Sequence, residues 1–272
     1  MMEVFLKGKV SEAANEDRIV ITPYYIGVID GATSKSDFRQ DGLTTGQWAG
    51  RLVEEAVKEL PPHAAGTEAT AAITDRIARF YTDHGLMDSV REHPERRLTA
   101  SAVLYSRWRQ EVWQVGDCQC LIGHRLFTRN KRIDQLLAEV RAAYLEAKLL
   151  QGCTEEELLA DDPGRAILRP FLVEQSRFQN LPTSASPYAF AVFDGFPLPP
   201  DALQVLPVTK GERVVLASDG YPRLFPTLAA TEAWLAEQLQ KDPLCIRSYQ
   251  STKGMYKGQC SFDDRAYVSF RI

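Results

Sequence analysis

The sequence predicts an α+β fold built from packed antiparallel sheets, and three observations predict it. Runs rich in Val, Ile, Tyr and Phe come in groups, near 3–29, 98–122 and 188–217. Stretches with helical periodicity separate those groups, the pattern of strands and helices segregated along a chain. The chain also closes on an unbroken alternation. Ala266, Val268, Phe270 and Ile272 face one way and Arg265, Tyr267, Ser269 and Arg271 the other, which predicts a half-buried strand.

Taken in order, Glu3 to Val10 and Arg18 to Ile29 read as strands. Ala49, Leu52, Val53, Ala56 and Leu60 recur at the helical period, and Pro61-Pro62 stops that helix. A second helix carries Ala69, Ile73, Ile77 and Phe80 on one face and closes at His84-Gly85. Leu98 to Ser106, Glu111 to Val115 and Cys118 to Ile122 predict an antiparallel meander. A long helix follows from about Ile133, and Thr154 with Glu157 makes a capping box for a shorter one. The segment 132–180 is therefore mostly helical, within a single domain that spans 1–272. Strands return at Tyr188 to Phe193, Leu203 to Val208 and Glu212 to Ala217, and Ala233 to Leu239 is helical.

Composition narrows the function. The 272 residues are enough for one large core, with ordinary hydrophobic (44%) and charged (25%) fractions. A formal net charge of -4 argues against nucleic acid or an anionic membrane as the main partner. No apolar run is long enough to span a bilayer, and the N-terminus lacks a signal-like apolar segment, so a cytoplasmic protein is expected. Cys118, Cys120, Cys153, Cys245 and Cys260 form no zinc spacing and read as reduced thiols. His63, His84, His93 and His124 show no ligand spacing either. Any metal must be held by oxygen.

Four acidic fragments supply that oxygen: Asn15-Glu16-Asp17, Asp30-Gly31, Ser218-Asp219-Gly220 and Asp263-Asp264. Two of them end apolar runs, Ile26 to Ile29 and Val214 to Ala217. Carboxylates delivered at strand ends from distant parts of a chain are a means of building a hard-cation site. A further Asp-Gly, Asp194-Gly195, reads as a plain turn.

The order of these fragments, together with Thr99 to Leu104 and Val115 to Cys118, resembles the metal-dependent protein phosphatases of the 2C type over nearly the whole chain. That resemblance implies a four-layer α-β-β-α sandwich and a phosphoserine/phosphothreonine phosphatase using two Mn²⁺ or Mg²⁺ ions, with a weaker third. It implies that Asp30 bridges the ions, that Gly31 offers its carbonyl, and that Asp219 and Asp263 ligate. Glu16 and Asp17 would act nearby through water, and Asp117 matches the third ion's position. The phosphate-gripping arginine expected before Glu16-Asp17 is Glu12, the histidine found after Asp-Gly in some members is Ala32, and an expected acidic residue is Arg223. Lys35 or Arg18 then becomes the candidate for the missing positive charge. Thr33-Ser34-Lys35 replaces the family's small turn.

The chemistry suits the residues. Carboxylates about 4 Å apart repel by about 1 kcal/mol per pair in water and about 4 at an effective dielectric of 20. Such a cluster titrates upward unless divalent cations neutralise it, and oxygen donors favour Mg²⁺ or Mn²⁺ over zinc. Two alternatives stand beside the enzyme. One is a pseudophosphatase that binds or regulates without turnover, and the other is a phosphatase of small phosphorylated metabolites.

Overall fold

The computed structural model describes residues 2–33, 35 and 38–272; Ser34, named above in the turn after Gly31, lies outside them. The chain opens with β1 (Glu3–Lys7) and then the hairpin β2 (Asp17–Ile21) and β3 (Tyr25–Gly31). The stretch read as one strand from Arg18 to Ile29 is thus two. Thr22-Pro23 turns it, and the Thr22 Oγ1 accepts from the backbone N–H of Tyr25 at 2.9 Å. A short pair, β4 (Arg39–Gln40) and β5 (Leu43–Thr44), leads into α1 (Thr45–Glu59) and α2 (Gly66–Asp83), followed by α3 (Met87–Glu92). Thr44 caps α1 through a reciprocal capping box with Gln47.

Next come β6 (Ala100–Ser106), β7 (Glu111–Val115), β8 (Gln119–Ile122) and β9 (Arg125–Phe127). The helical segment holds α4 (Arg132–Leu150), α5 (Glu155–Ala160) and α6 (Pro163–Glu174). The chain ends with β10 (Gln204–Pro207), β11 (Arg213–Ala217), α7 (Leu228–Lys241) and β12 (Arg265–Arg271).

Two five-stranded sheets result, ordered β1-β12-β11-β8-β9 and β10-β7-β6-β3-β2, with every pairing between named strands antiparallel. Strand alternation assigns each side chain to a layer. Ile26 and Val28 of β3, Val103 and Tyr105 of β6, Val214 and Leu216 of β11, and Ala266, Val268 and Phe270 of β12 fill the space between the sheets. Their neighbours Tyr25, Ile29, Ala102 and Leu104 face outward under α1 and α2. On the other side Val215, Ala217 and Tyr267 face outward under Leu235 of α7. The order of layers is helix, sheet, sheet, helix, as the resemblance implies.

Three expectations change. The predicted meander breaks after β7, because β8 pairs with β11 and β9 in the other sheet. Gly116, at φ +83, makes that crossing, and a Cβ there would stand 2.3 Å from the Ser101 Cβ. The stretch 188–193 forms only isolated bridges, through Phe190 and Phe193. The final strand is not half-buried: β12 lies between β1 and β11, so Arg265, Tyr267 and Ser269 are buried along with the apolar set.

Candidate active site

Strand pairing sets the carboxylates side by side before any side-chain contact is considered. Asp17 opens β2 and Asp30 sits near the end of β3, directly opposite it in the hairpin register. Asp117 lies in the crossing from β7 to β8, Asp219 just past β11 and Asp263 just before β12. Asp30, Asp117, Asp219 and Asp263 line one cleft of about 720 Å³. Lys131 and Asp134 at the start of α4, Arg165 of α6 and the loop 249–253 line the same cleft.

Three of these carboxyls lack a cationic partner. Burial pushes Asp30 and Asp219 well above the usual carboxylate range. The charges of Asp17, Asp117 and Asp263 add to this at Asp30, and those of Asp30, Asp117 and Asp263 at Asp219, where Lys253 works the other way. Asp17 lies behind them. Burial raises it too, against a 2.6 Å hydrogen bond from the Ser218 hydroxyl, which in turn accepts from the Ala266 N–H.

The other two acids are held by lysines, which the sequence reading missed. Lys9 Nζ lies 3.1 Å from Asp263 and 3.2 Å from Asp264, and Lys253 pairs with the second oxygen of Asp263. Lys131 reaches Asp117 at 2.7 Å. Burial works to raise both acids, yet these ammonium groups hold Asp263 and Asp117 below the ordinary value. The same contacts lift Lys9 and Lys131 above theirs in spite of their burial.

The remaining candidates fall in different places. Glu16 does not line the cleft; its Oε1 accepts from the Thr44 hydroxyl at 2.6 Å, beside the N-terminus of α1. Asp264 is a latch whose two oxygens accept from the backbone N–H groups of Lys9 and Glu16. Gly31 sits where β3 meets α1, with a hypothetical Cβ only 2.2 Å from the Gly46 carbonyl oxygen. Arg18 does not line the cleft and lies 3.9 Å from Glu54 of α1. Lys35 does line the cleft, as does Ala32. Glu12 is exposed in a short 3-10 turn, and Arg223 lies over the rings of Phe225 and Trp234. Asp194 is no plain turn: it is fully buried, takes Arg97 at 3.0 Å and accepts from Asn180 and the Phe196 N–H.

No family model matches the chain, and no curated protein does. Solved structures do. A serine/threonine phosphatase of Mycobacterium tuberculosis, PstP/Ppp, is 16% identical, with 99% of this chain and 97% of that one covered and a TM-score of 0.46. The serine/threonine phosphatase Stp1 of Staphylococcus aureus is 14% identical, covering 100% and 94% at a TM-score of 0.48. The PPM Ser-Thr phosphatase MsPP of Mycobacterium smegmatis, in complex with cacodylate, is 14% identical, covering 100% and 98% at 0.48.

Whether the cleft suits Mn²⁺ or Mg²⁺ is answered by its donors. Among the described residues no group of three or more His, Cys, Asp or Glu side chains stands ready-arranged around an ion position. The donor chemistry nevertheless fits a hard cation at Asp30, Asp219 and Asp17. They offer only oxygen, Asp17 is buried and Asp30 and Asp219 half-buried, and among the described residues none has a lysine or arginine at ion-pair distance. Asp263 and Asp117 differ, because lysines already provide their countercharge. Cys118 takes no part: burial and the charge of Asp30 push its thiol well up, and its Sγ rests 3.2 Å from the Ser101 hydroxyl.

Proposed function

We propose that this chain is a divalent-cation-dependent phosphomonoester hydrolase acting on phosphoserine or phosphothreonine in proteins. The observation that carries the reading is that Asp30 and Asp219, neither with a lysine or arginine at ion-pair distance among the described residues, line one cleft large enough for a substrate. Carboxyls 189 positions apart in sequence, 219 less 30, gain nothing from being gathered in one cleft unless a cation is to be held there. Bound Mn²⁺ or Mg²⁺ supplies Lewis acidity toward the phosphoryl oxygens and activates water for in-line attack on phosphorus.

The chain's own groups do the rest. Asp30 and Asp219 would hold the cation, and the Gly31 carbonyl would offer a further oxygen at the same strand end. Asp17, oriented by the Ser218 hydroxyl, stands behind Asp30 and can take a proton at its free oxygen. Lys9 and Lys253 fix Asp263, and Lys131 fixes Asp117, so the rim of the acidic wall is cationic. That rim favours a phosphate over a neutral ligand. No side chain need serve as a covalent nucleophile.

Phosphate release from an aryl phosphate tests the reading, with Mn²⁺, with a chelator, and with Asp30→Asn. The reading requires turnover that needs the metal and is lost by at least a hundredfold in the variant. Equal rates with and without chelator would remove it. The lysine pairs on Asp263 and Asp117 favour one second reading, a binding module that takes phosphorylated partners without turnover. Absence of turnover at any metal concentration, with retained phosphopeptide binding, would select it.

A further inference from the structure

The cleft also carries positive charge that its carboxylates do not pair with. Arg165 and Lys35 both line the cleft. Among the described residues neither has a carboxylate within ion-pair distance, unlike Lys9, Lys131 and Lys253. The Arg165 Nη1 donates only to the carbonyl of Thr252, at 2.9 Å. Asp134 lies 4.0 Å from Lys131 and acts on Arg165 and Lys35 only from beyond ion-pair distance. Burial, with Arg165 and Lys253 next in effect, pulls Lys35 down to about 7. Burial likewise lowers Arg165. Both shifts have the same main origin, burial, which the longer-range pull of Asp134 on each does not offset.

Arg165 is also held rigidly. Asp162 caps α6 by accepting from the Arg165 backbone N–H at 2.8 Å. The same Asp162 accepts from Arg141 of α4 at 2.9 Å, and the fully buried Arg141 donates on to the carbonyls of Leu244 and Ser251. One guanidinium therefore locks α4, α6 and the loop 244–252 into a fixed roof, and Arg165 projects from that roof into the cleft. An unpaired cation in a fixed, largely desolvated position is a recognition element for an anion. The cleft is open to solvent on one side, and its 720 Å³ exceeds what one phosphorylated side chain fills.

We propose that Arg165 and Lys35 form a second anion subsite, so that the preferred substrate is a phosphorylated peptide bearing another negative group close to the phosphorylated residue. The second group is a carboxylate or a second phosphate. This specificity rests on the hydrolase reading given above. Arg165 and Lys35 bind the flanking group, while the phosphoryl group to be removed lies against Asp30 and Asp219.

The test uses phosphoserine peptides of one sequence that differ at a single neighbouring position, occupied by Asn, Asp or phosphoserine. The quantity read is the ratio of kcat/KM for each anionic peptide to that for the Asn peptide, taken within one protein so that overall activity cancels. The wild type is expected to favour an anionic neighbour by about tenfold. Arg165→Gln and Lys35→Gln are each expected to bring the ratio toward one, and Arg165→Lys to restore most of it. The Asp and phosphoserine arms show which anion the subsite takes. A wild-type ratio of one overturns the proposal, as does a ratio unchanged in both Gln variants shown by circular dichroism to be folded. If neither peptide nor aryl phosphate is hydrolysed with Mn²⁺, the hydrolase reading fails by itself. The same peptides, fluorescently labelled, then give the ratio as Kd values by anisotropy. A tenfold preference lost in the Gln variants upholds the subsite, and equal Kd values overturn it.

Discussion

At the scale of single residues, the site is a contest between carboxylates and the cations available to them. Among the described residues Asp30, Asp219 and Asp17 stand without a lysine or arginine at ion-pair distance, whereas Asp117 has one such partner and Asp263 two. Removing a charge from the first group should therefore relieve the metal-free fold. Asp30→Asn is expected to raise the Tm measured in chelator by about 2–4 °C, equivalent to roughly 1 kcal/mol, while abolishing hydrolysis. A lower Tm would mean that Asp30 is a structural acceptor. Removing a cation from the second group should do the reverse. Lys253→Met frees one oxygen of Asp263 and is expected to tighten Mn²⁺ binding by about tenfold in calorimetry, about 1.4 kcal/mol; unchanged affinity would show that Asp263 takes no part in holding the ion. None of these lysines was legible in the sequence. Lys9 and Asp263 lie 254 positions apart, and an ion pair between two loops leaves no periodic trace.

Elements carry the next level, and here the legibility was uneven for physical reasons. Helices α1 and α2 announced themselves because one apolar face recurs at the helical period, with prolines or a glycine at the stops. The strands β11 and β12 were equally plain, but the burial of both faces of β12 was not. Arg265 and Ser269 look like solvent-facing residues until α7 and its loop cover that side of the sheet. The change of sheet after β7 was hidden for a similar reason, since Gly116-Asp117 reads as an ordinary tight turn. Gly116→Ala should expose that role. At φ +83, with the Ser101 Cβ only 2.3 Å from the new methyl, it is expected to cost about 1–3 kcal/mol in denaturant titration. A change under 0.5 kcal/mol would show that the crossing tolerates an ordinary residue. In the roof, Arg141→Met strands Asp162 as a buried, unpaired charge and should cost about 3–5 kcal/mol, seen as a Tm fall of about 10 °C. A fall of less than 2 °C would mean that α4, α6 and the loop 244–252 are held by other contacts.

At the scale of the whole molecule, the fold acts as a device for bringing five separated acids to one end of a two-sheet core. The inter-sheet layer of Val, Ile and Phe fixes the sheets against each other, and loops at their common edge deliver Asp30, Asp117, Asp219 and Asp263 to the cleft. The acid-bearing strand ends were readable because apolar runs stop at Asp-Gly twice. The roof and its Arg165 were not, since α4 to α6 read only as helices whose place in the fold depends on one buried arginine. Among the described residues no helix is long and apolar enough to cross a membrane. The most direct measurement of the central claim is anomalous diffraction from crystals grown with Mn²⁺. The account predicts a manganese peak between the carboxylates of Asp30 and Asp219, absent in Asp30→Asn crystals. A fully occupied Mn²⁺ site elsewhere, touching neither Asp30 nor Asp219, would contradict it.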